Sequence, residues 1–185
     1  MSTTTATALP TGTWTVDPAH SKVGFAVKHM GIATVRGEFT EFEGSLEIAD
    51  DLSSAKAYGT VRAQSVDTNE PQRDDHLRSP DFFDVAQFPE IRFESTSIEA
   101  LDDEEFRITG KLTIHGETND IVLHAALEGT DIDPWGNERV GLEVTGQLSR
   151  GDYGMKFNQA LGSGNMLVAD KVKLALDISA VKQSA

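Results

Sequence analysis

The stretch SVDTNEPQRDDHLRSPDFFDVAQFPEIRFES, Ser65 to Ser95, decides how the rest of the chain is read. It is the least periodic part of the sequence. Thr68 or Asn69 can cap a helix start, and Pro71 suits a first turn. Gln72 to Leu77 then reads as one or two helical turns. Ser79-Pro80 ends them, because the residue before a proline is pushed out of the α region. Ser79-Pro80-Asp81 starts a second turn and sets Phe82 beside Phe83. Phe88-Pro89 breaks the chain again, and Ile91-Arg92-Phe93-Glu94 alternates as a strand does. A compact polar-aromatic helix between strands reads as a plug or lid on a β structure.

Outward from this stretch the chain alternates. Thr13 to Asp17 is a short strand, and Pro18 to Ser21 a turn. Val23, Phe25, Val27 and His29 share one face of the next strand. Met30-Gly31-Ile32 turns the chain. Val35 to Ile48 is a long extended segment in which Phe39 and Phe42 differ in parity, so a bulge or bend is expected near Glu41. Lys56 to Val66 is a further strand. Beyond the plug, Ile91 to Ile98, Phe106 to Ile114, Ile121 to Leu127, Val140 to Leu148 and Val172 to Ala180 alternate in turn. Asp102 to Glu105, His115-Gly116 and Asp133 to Asn137 separate them as turns. Arg150 to Gly164 is glycine-rich and irregular. The expectation is an all-β fold of about eight antiparallel strands, a barrel or a sandwich, with a short helical plug between strands; long strands joined in sequence favour an extended up-and-down barrel. Barrels of about this size hold one small ligand inside.

The chain has 185 residues, 38% hydrophobic and 25% charged, which suits one domain with a buried core and a solvated surface. Its net charge of −14 disfavours phosphate backbones and anionic membrane surfaces, so neither nucleic-acid binding nor stable membrane insertion is expected. It has no cysteine, hence no disulfide or thiolate chemistry. Met1 to Thr11 is rich in Ser, Thr and Ala, without a basic region or an apolar run. Residues 1–12 therefore read as a disordered leader before a single domain at 13–185, and the protein as cytoplasmic.

The motifs add up to a resemblance. Trp14-Thr15-Val16-Asp17 with His20-Ser21, Phe25 with His29, and Val35-Arg36-Gly37-Glu38-Phe39 are quoted for it. The plug contributes Asp67-Thr68, Arg73 to Ser79, Asp81-Phe82-Phe83-Asp84 and Phe88 to Phe93. Gly110 to Gly116 and Arg150-Gly151-Asp152-Tyr153-Gly154 complete it. On these residues the chain resembles the YceI-like family of lipocalin-like polyisoprenoid-binding barrels. The resemblance implies a long apolar pore holding a polyisoprenoid or another long-chain amphipath, and makes a homodimer plausible. Many family members carry a periplasmic signal peptide. This N-terminus departs from that pattern.

The expected pore liners are Phe25, Phe39, Phe42, Phe83, Phe93 and Phe157, with Val27 and His29 on the Phe25 face. Arg73-Asp74-Asp75-His76 invites an enzymatic reading, because a carboxylate beside a histidine can orient it for acid-base work. No G-x-S-x-G accompanies it. The favoured reading is a structural network that fixes the plug, with no catalytic residue assigned. Between these readings, Arg73, Asp74 or His76 meets a ligand headgroup at the pore mouth. His20, His29, His76, His115 and His124 show no H-x-x-x-H spacing, so no metal or other cofactor is expected. Trp14 reads as a core anchor and Trp135 as a turn packing residue. The functional expectation is a non-enzymatic protein that sequesters or carries a polyisoprenoid, isoprenoid quinone or fatty amide. The alternatives are an enzyme acting on such a lipid through Arg73-Asp74-Asp75-His76, and a self-filled barrel with no cavity.

Overall fold

A computed structural model describes residues 9–183. Their alternating side chains build one antiparallel sheet from β1 (Gly12–Val16), β2 (Lys22–His29), β3 (Ala33–Phe39), β4 (Phe42–Ile48), β5 (Lys56–Arg62) and β6 (Val66–Asp67). After the helix α1 (Pro71–Arg78) follow β7 (Glu90–Ala100), β8 (Glu105–Ile114), β9 (Glu117–Ile132), β10 (Glu138–Ser149) and β11 (Val168–Lys182). Each long strand pairs with the next, and β11 returns to pair with both β1 and β2. β1 and β2 are one strand interrupted by the 3-10 turn Pro18–His20. β3 and β4 are likewise one strand bent at Thr40-Glu41, where a bend was expected. β5 and β6 are separated by a 3-10 turn at Ala63–Ser65. Counting each broken strand once gives a closed, eight-stranded, up-and-down barrel with one short helix.

The break after β5 differs from the single Lys56 to Val66 strand expected. Its cause is long-range. Ala63 N–H donates to the carbonyl of Pro89, and the Ser65 hydroxyl bonds the Arg62 carbonyl at 2.7 Å while accepting from Glu41 N–H. These partners turn the backbone away from a straight ladder.

One half of the barrel is packed solid. Around the C-terminal end of β11, Trp14, Phe106, Val140, Ala125 and Ala180 are each at most 2% exposed. The Trp14 indole N–H donates to the Pro10 carbonyl at 3.2 Å, and Leu9 is buried in the same core. The folded chain thus reaches back to Leu9, ahead of the expected boundary at Thr13. The rest of the expected leader, 1–8, lies outside the described residues. Trp135 departs from its expected packing role and is 79% exposed. Its turn is held instead by Asp133, whose carboxylate accepts from Trp135 N–H and Asn137 N–H.

Arg139 ties this end together, bonding Asp17 at 2.9 Å and Asp133 at 2.8 Å. The Arg139 guanidinium, then His20, holds the Asp17 carboxyl down from 3.8 to about 2. Desolvation pushes Asp133 up, but Arg139 and the neighbouring N–H groups outweigh it and hold Asp133 at about 2 as well. A carboxylate with a depressed folded pKa contributes stability that is complete above its unfolded value and is lost as pH falls through its folded value. We therefore expect Arg139→Gln to be destabilised relative to wild type above pH 3.8, with the gap closing as pH falls toward about 2. Urea titrations across that window would show it, and a gap independent of pH would contradict the role given to the two carboxylates.

Aromatic rings approach glycines of neighbouring strands closely. A Cβ on Gly110 would stand 2.6 Å from the Phe93 ring, and one on Gly37 would stand 2.5 Å from Phe25. The absent side chains make room for the rings inside the wall. Gly110→Val should cost about 1–3 kcal/mol by overpacking. An unchanged denaturation midpoint would show that Phe93 has another place to go.

Candidate functional site: a capped apolar cavity

The half of the barrel around the start of β11 is hollow. It holds a cavity of about 370 Å³. Its wall is made by inward residues at the open-end halves of the strands, among them Val23 and Phe25 from β2, Phe93 from β7, Leu112 from β8, and Leu174 and Leu176 from β11. The cavity stops short of the solid half: none of Trp14, Phe106, Val140 or Ala180 borders it. The cavity thus occupies one half of the barrel, where the family resemblance implied a long apolar pore.

The cap comes from α1, the turn after it and the β10–β11 connection. α1 starts at Glu70, whose side chain accepts from Gln72 N–H at 3.1 Å, with Pro71 in the first turn. Neither expected residue caps it. Asn69 adopts a left-handed φ of 63°, and Thr68 serves another purpose. The Thr68 hydroxyl donates to Asp74 Oδ1 at 2.5 Å and accepts from Arg73 Nε at 2.7 Å. Thr68 N–H also donates to Asp74 Oδ1 at 2.8 Å, and Arg73 Nη2 reaches the Thr68 carbonyl at 2.7 Å. Thr68 and Asp74 are both buried, so this network clamps the helix to the end of β6. Ser79 ends the helix, its hydroxyl bonding the His76 carbonyl at 2.6 Å.

Aromatic contacts join wall to cap. Phe25 meets Phe39 at 5.5 Å between centroids, and Phe39 meets Phe83 at 5.6 Å. On the other side His76 stands edge-on to Phe82 at 5.0 Å and to Phe157 at 4.9 Å. Such geometries are favoured by the ring quadrupole.

Of the residues singled out in the sequence, Phe25, Val27, His29, Phe39, Phe83, Phe93, Phe157, Arg73 and His76 border the cavity. Phe42 does not. It opens β4 beyond the Thr40-Glu41 bend, opposite Val61, and Val61 borders the cavity instead. Asp74 does not border it either, being taken up by Thr68. The four-residue cluster proposed for an enzyme does not converge. Asp75 pairs with Arg78 at 3.0 Å, and His76 pairs with Asp81 at 2.9 Å rather than with Asp74.

Sequence reasoning missed Arg150 as a cavity residue. Arg150 is 5% exposed and borders the cavity. Its Nε donates to the Ala169 carbonyl at 2.9 Å, Nη1 to Met155 at 2.7 Å and Nη2 to Val168 at 3.2 Å. Its guanidinium carbon lies 5.9 Å from the centre of the Phe82 ring. Burial pushes its pKa down, against the pull of Asp170. Arg150 stands in the Arg150-Gly151-Asp152-Tyr153-Gly154 motif, but an arginine in an irregular segment is usually a surface residue. Phe82 was also passed over, since adjacent phenylalanines in a turn carry no periodic signal to tell them apart.

Comparison with known proteins places the chain. The model of the YceI-like domain matches residues 14–180. The chain belongs to the YceI-like family. The protein YceI of Salmonella arizonae is 37% identical over 165 residues, 89% of this chain and 83% of that protein. Among solved structures, BcnA of Burkholderia cenocepacia aligns with a TM-score of 0.78 at 21% identity, covering 89% of this chain and 98% of that one. A polyisoprenoid-binding domain from Saccharophagus degradans aligns with a TM-score of 0.66 at 14% identity, covering 92% and 98%. The YceI-like barrel is the fold these share. Among the described residues no helix is long and apolar enough to cross a membrane.

Removing the Thr68 hydroxyl would leave Arg73 Nε without its acceptor and deprive buried Asp74 of a donor. Thr68→Val should therefore cost about 1–3 kcal/mol. Faster amide exchange in α1 should accompany the loss, and α1 exchange equal to wild type would rule out the clamp.

Proposed function

We propose that the protein binds a long-chain amphipathic lipid inside the barrel and sequesters or carries it. A polyisoprenoid, an isoprenoid quinone and a fatty amide are candidate guests. The observation that carries this reading is the partly open cavity within the barrel, walled mostly by hydrocarbon side chains. Each buried CH2 contributes roughly 0.8 kcal/mol, so about a dozen give ~10 kcal/mol gross. Lost freedom and chain ordering subtract from this, and a rigid wall keeps that cost low. The polyisoprenoid-binding neighbour supports a lipid guest by likeness of fold. Phe25, Val27, Phe39, Phe83, Phe93 and Phe157 would contact the hydrocarbon, with His29, Arg73 and His76 nearer the cap.

A binding role is favoured over an enzymatic one because Arg73 and Asp74 are both taken up by Thr68, Asp75 by Arg78 and His76 by Asp81. The test is native mass spectrometry of freshly purified protein, followed by organic extraction. A discrete added mass, released as an isoprenoid or long acyl compound, is expected. Protein that is empty and takes up no quinone, polyprenol or fatty amide would overturn the reading. In the same assay Leu174→Trp, which fills the cavity from its wall, should lose the added mass while keeping a wild-type circular dichroism spectrum. Full retention would place the guest elsewhere.

A further inference from the structure

The chain carries 30 acidic residues against 16 lysines and arginines, yet no Asp or Glu borders the cavity. The ionisable residues that do border it are Lys28, His29, Arg73, His76 and Arg150, all of them basic. This inverts the charge balance of the whole molecule at one place.

Ion pairing outside the cavity is partial: Arg36, Lys56, Lys156, Lys171 and Lys173 have no ion pair among the described residues. Arg62, Arg78, Arg92, Arg107 and Arg139 each hold a carboxylate. Lys28, His29, Arg73 and Arg150 make no ion pair among the described residues, and His76 alone has Asp81. Arg150 is the most buried of the five, and buried charges are normally paired. Its protein partners are three neutral carbonyls. Asp170, the nearest source of opposite charge, bonds the Ser149 hydroxyl and Gly151 N–H instead. A guanidinium has five N–H donors, so one remains on each terminal nitrogen.

Arg150 is the buried member of the set, while Lys28, His29, Arg73 and His76 border the cavity and are exposed to solvent as well. Arg150 and His76 both pack against Phe82, and Arg73 lies one helical turn before His76. The Val168 carbonyl that accepts from Arg150 belongs to the residue paired with His29. The opposite end of the cavity is hydrocarbon.

We propose that the cavity selects amphipaths with an anionic head, a carboxylate or a phosphate, held by Arg150 with Arg73 and His76 beside it. This rests on the lipid-binding reading and narrows it. A planar fork with two free N–H groups matches the paired oxygens of either head. A quinone, primary amide or alcohol supplies acceptors but no charge, and leaves the Arg150 cation uncompensated.

The test compares matched ligands by calorimetry at pH 8 with lipid-free protein: dodecanoate against dodecanamide, and farnesyl phosphate against farnesol. The anion of at least one pair should bind on the order of a hundredfold more tightly than its neutral partner. A preference seen with the carboxylate only, the phosphate only, or both identifies the head and supports the inference in each case. Neutral ligands binding as tightly as their anions would overturn it and leave the lipid-binding reading standing. If no ligand binds, both readings fall. Arg150→Met should lose the anion preference, with its circular dichroism spectrum reporting whether it is folded. Should that variant not fold, Arg73→Gln should reduce the same preference, and the wild-type comparison still decides the matter.

Discussion

The ladder along β11 is the interaction on which the barrel depends. This strand of 15 residues pairs with β10 from Lys171 to Val181 and, on its other edge, with β2 and then β1. Without that second edge the sheet would be an open ribbon with exposed hydrogen-bonding groups. With it, the apolar faces of all the strands enclose one space. The turn at Pro18–His20 divides the partner strand in two, so a single edge of β11 closes both the solid half and the hollow half.

The two halves follow from side-chain size along the same alternating strands. Near the end of β11, Trp14 and Phe106 project inward and meet Val140 and Ala180, filling the section. Toward its start, the wall rings approach glycines closely, Phe25 at Gly37 and Phe93 at Gly110. Rings folded against the wall leave the middle open. The cap over that space is fixed by directional polar contacts to Thr68 and by edge-on aromatics. The hydrocarbon floor and the polar, aromatic cap give the cavity an axis with distinct ends.

Much of the fold is legible in the sequence because period-two alternation survives in nearly every strand. The bend at Thr40-Glu41 shows as a change of parity between Phe39 and Phe42. The break after Arg62 does not, because the Pro89 carbonyl and Glu41 that cause it are distant in the chain. Alternation tells which face a residue takes but not how far along the barrel it stands. That is why Phe42 was grouped with Phe39 although only Phe39 borders the cavity. Arg150 was missed for a related reason: burial of an arginine depends on carbonyls from Met155, Val168 and Ala169, which a local reading cannot assemble.

The solid half of the barrel has a consequence for traffic. A space closed at one end admits and releases a guest through the same mouth. On the proposed reading, a flexible chain would enter tail first and leave head first. Its depth is set by rigid side chains, so a tail that outgrows it must fold back or leave its head outside the cap. On the proposed lipid-binding reading, the inward side chains just above the solid half, Leu176 and Leu123 among them, would act as the stop of a ruler and grade guests by length.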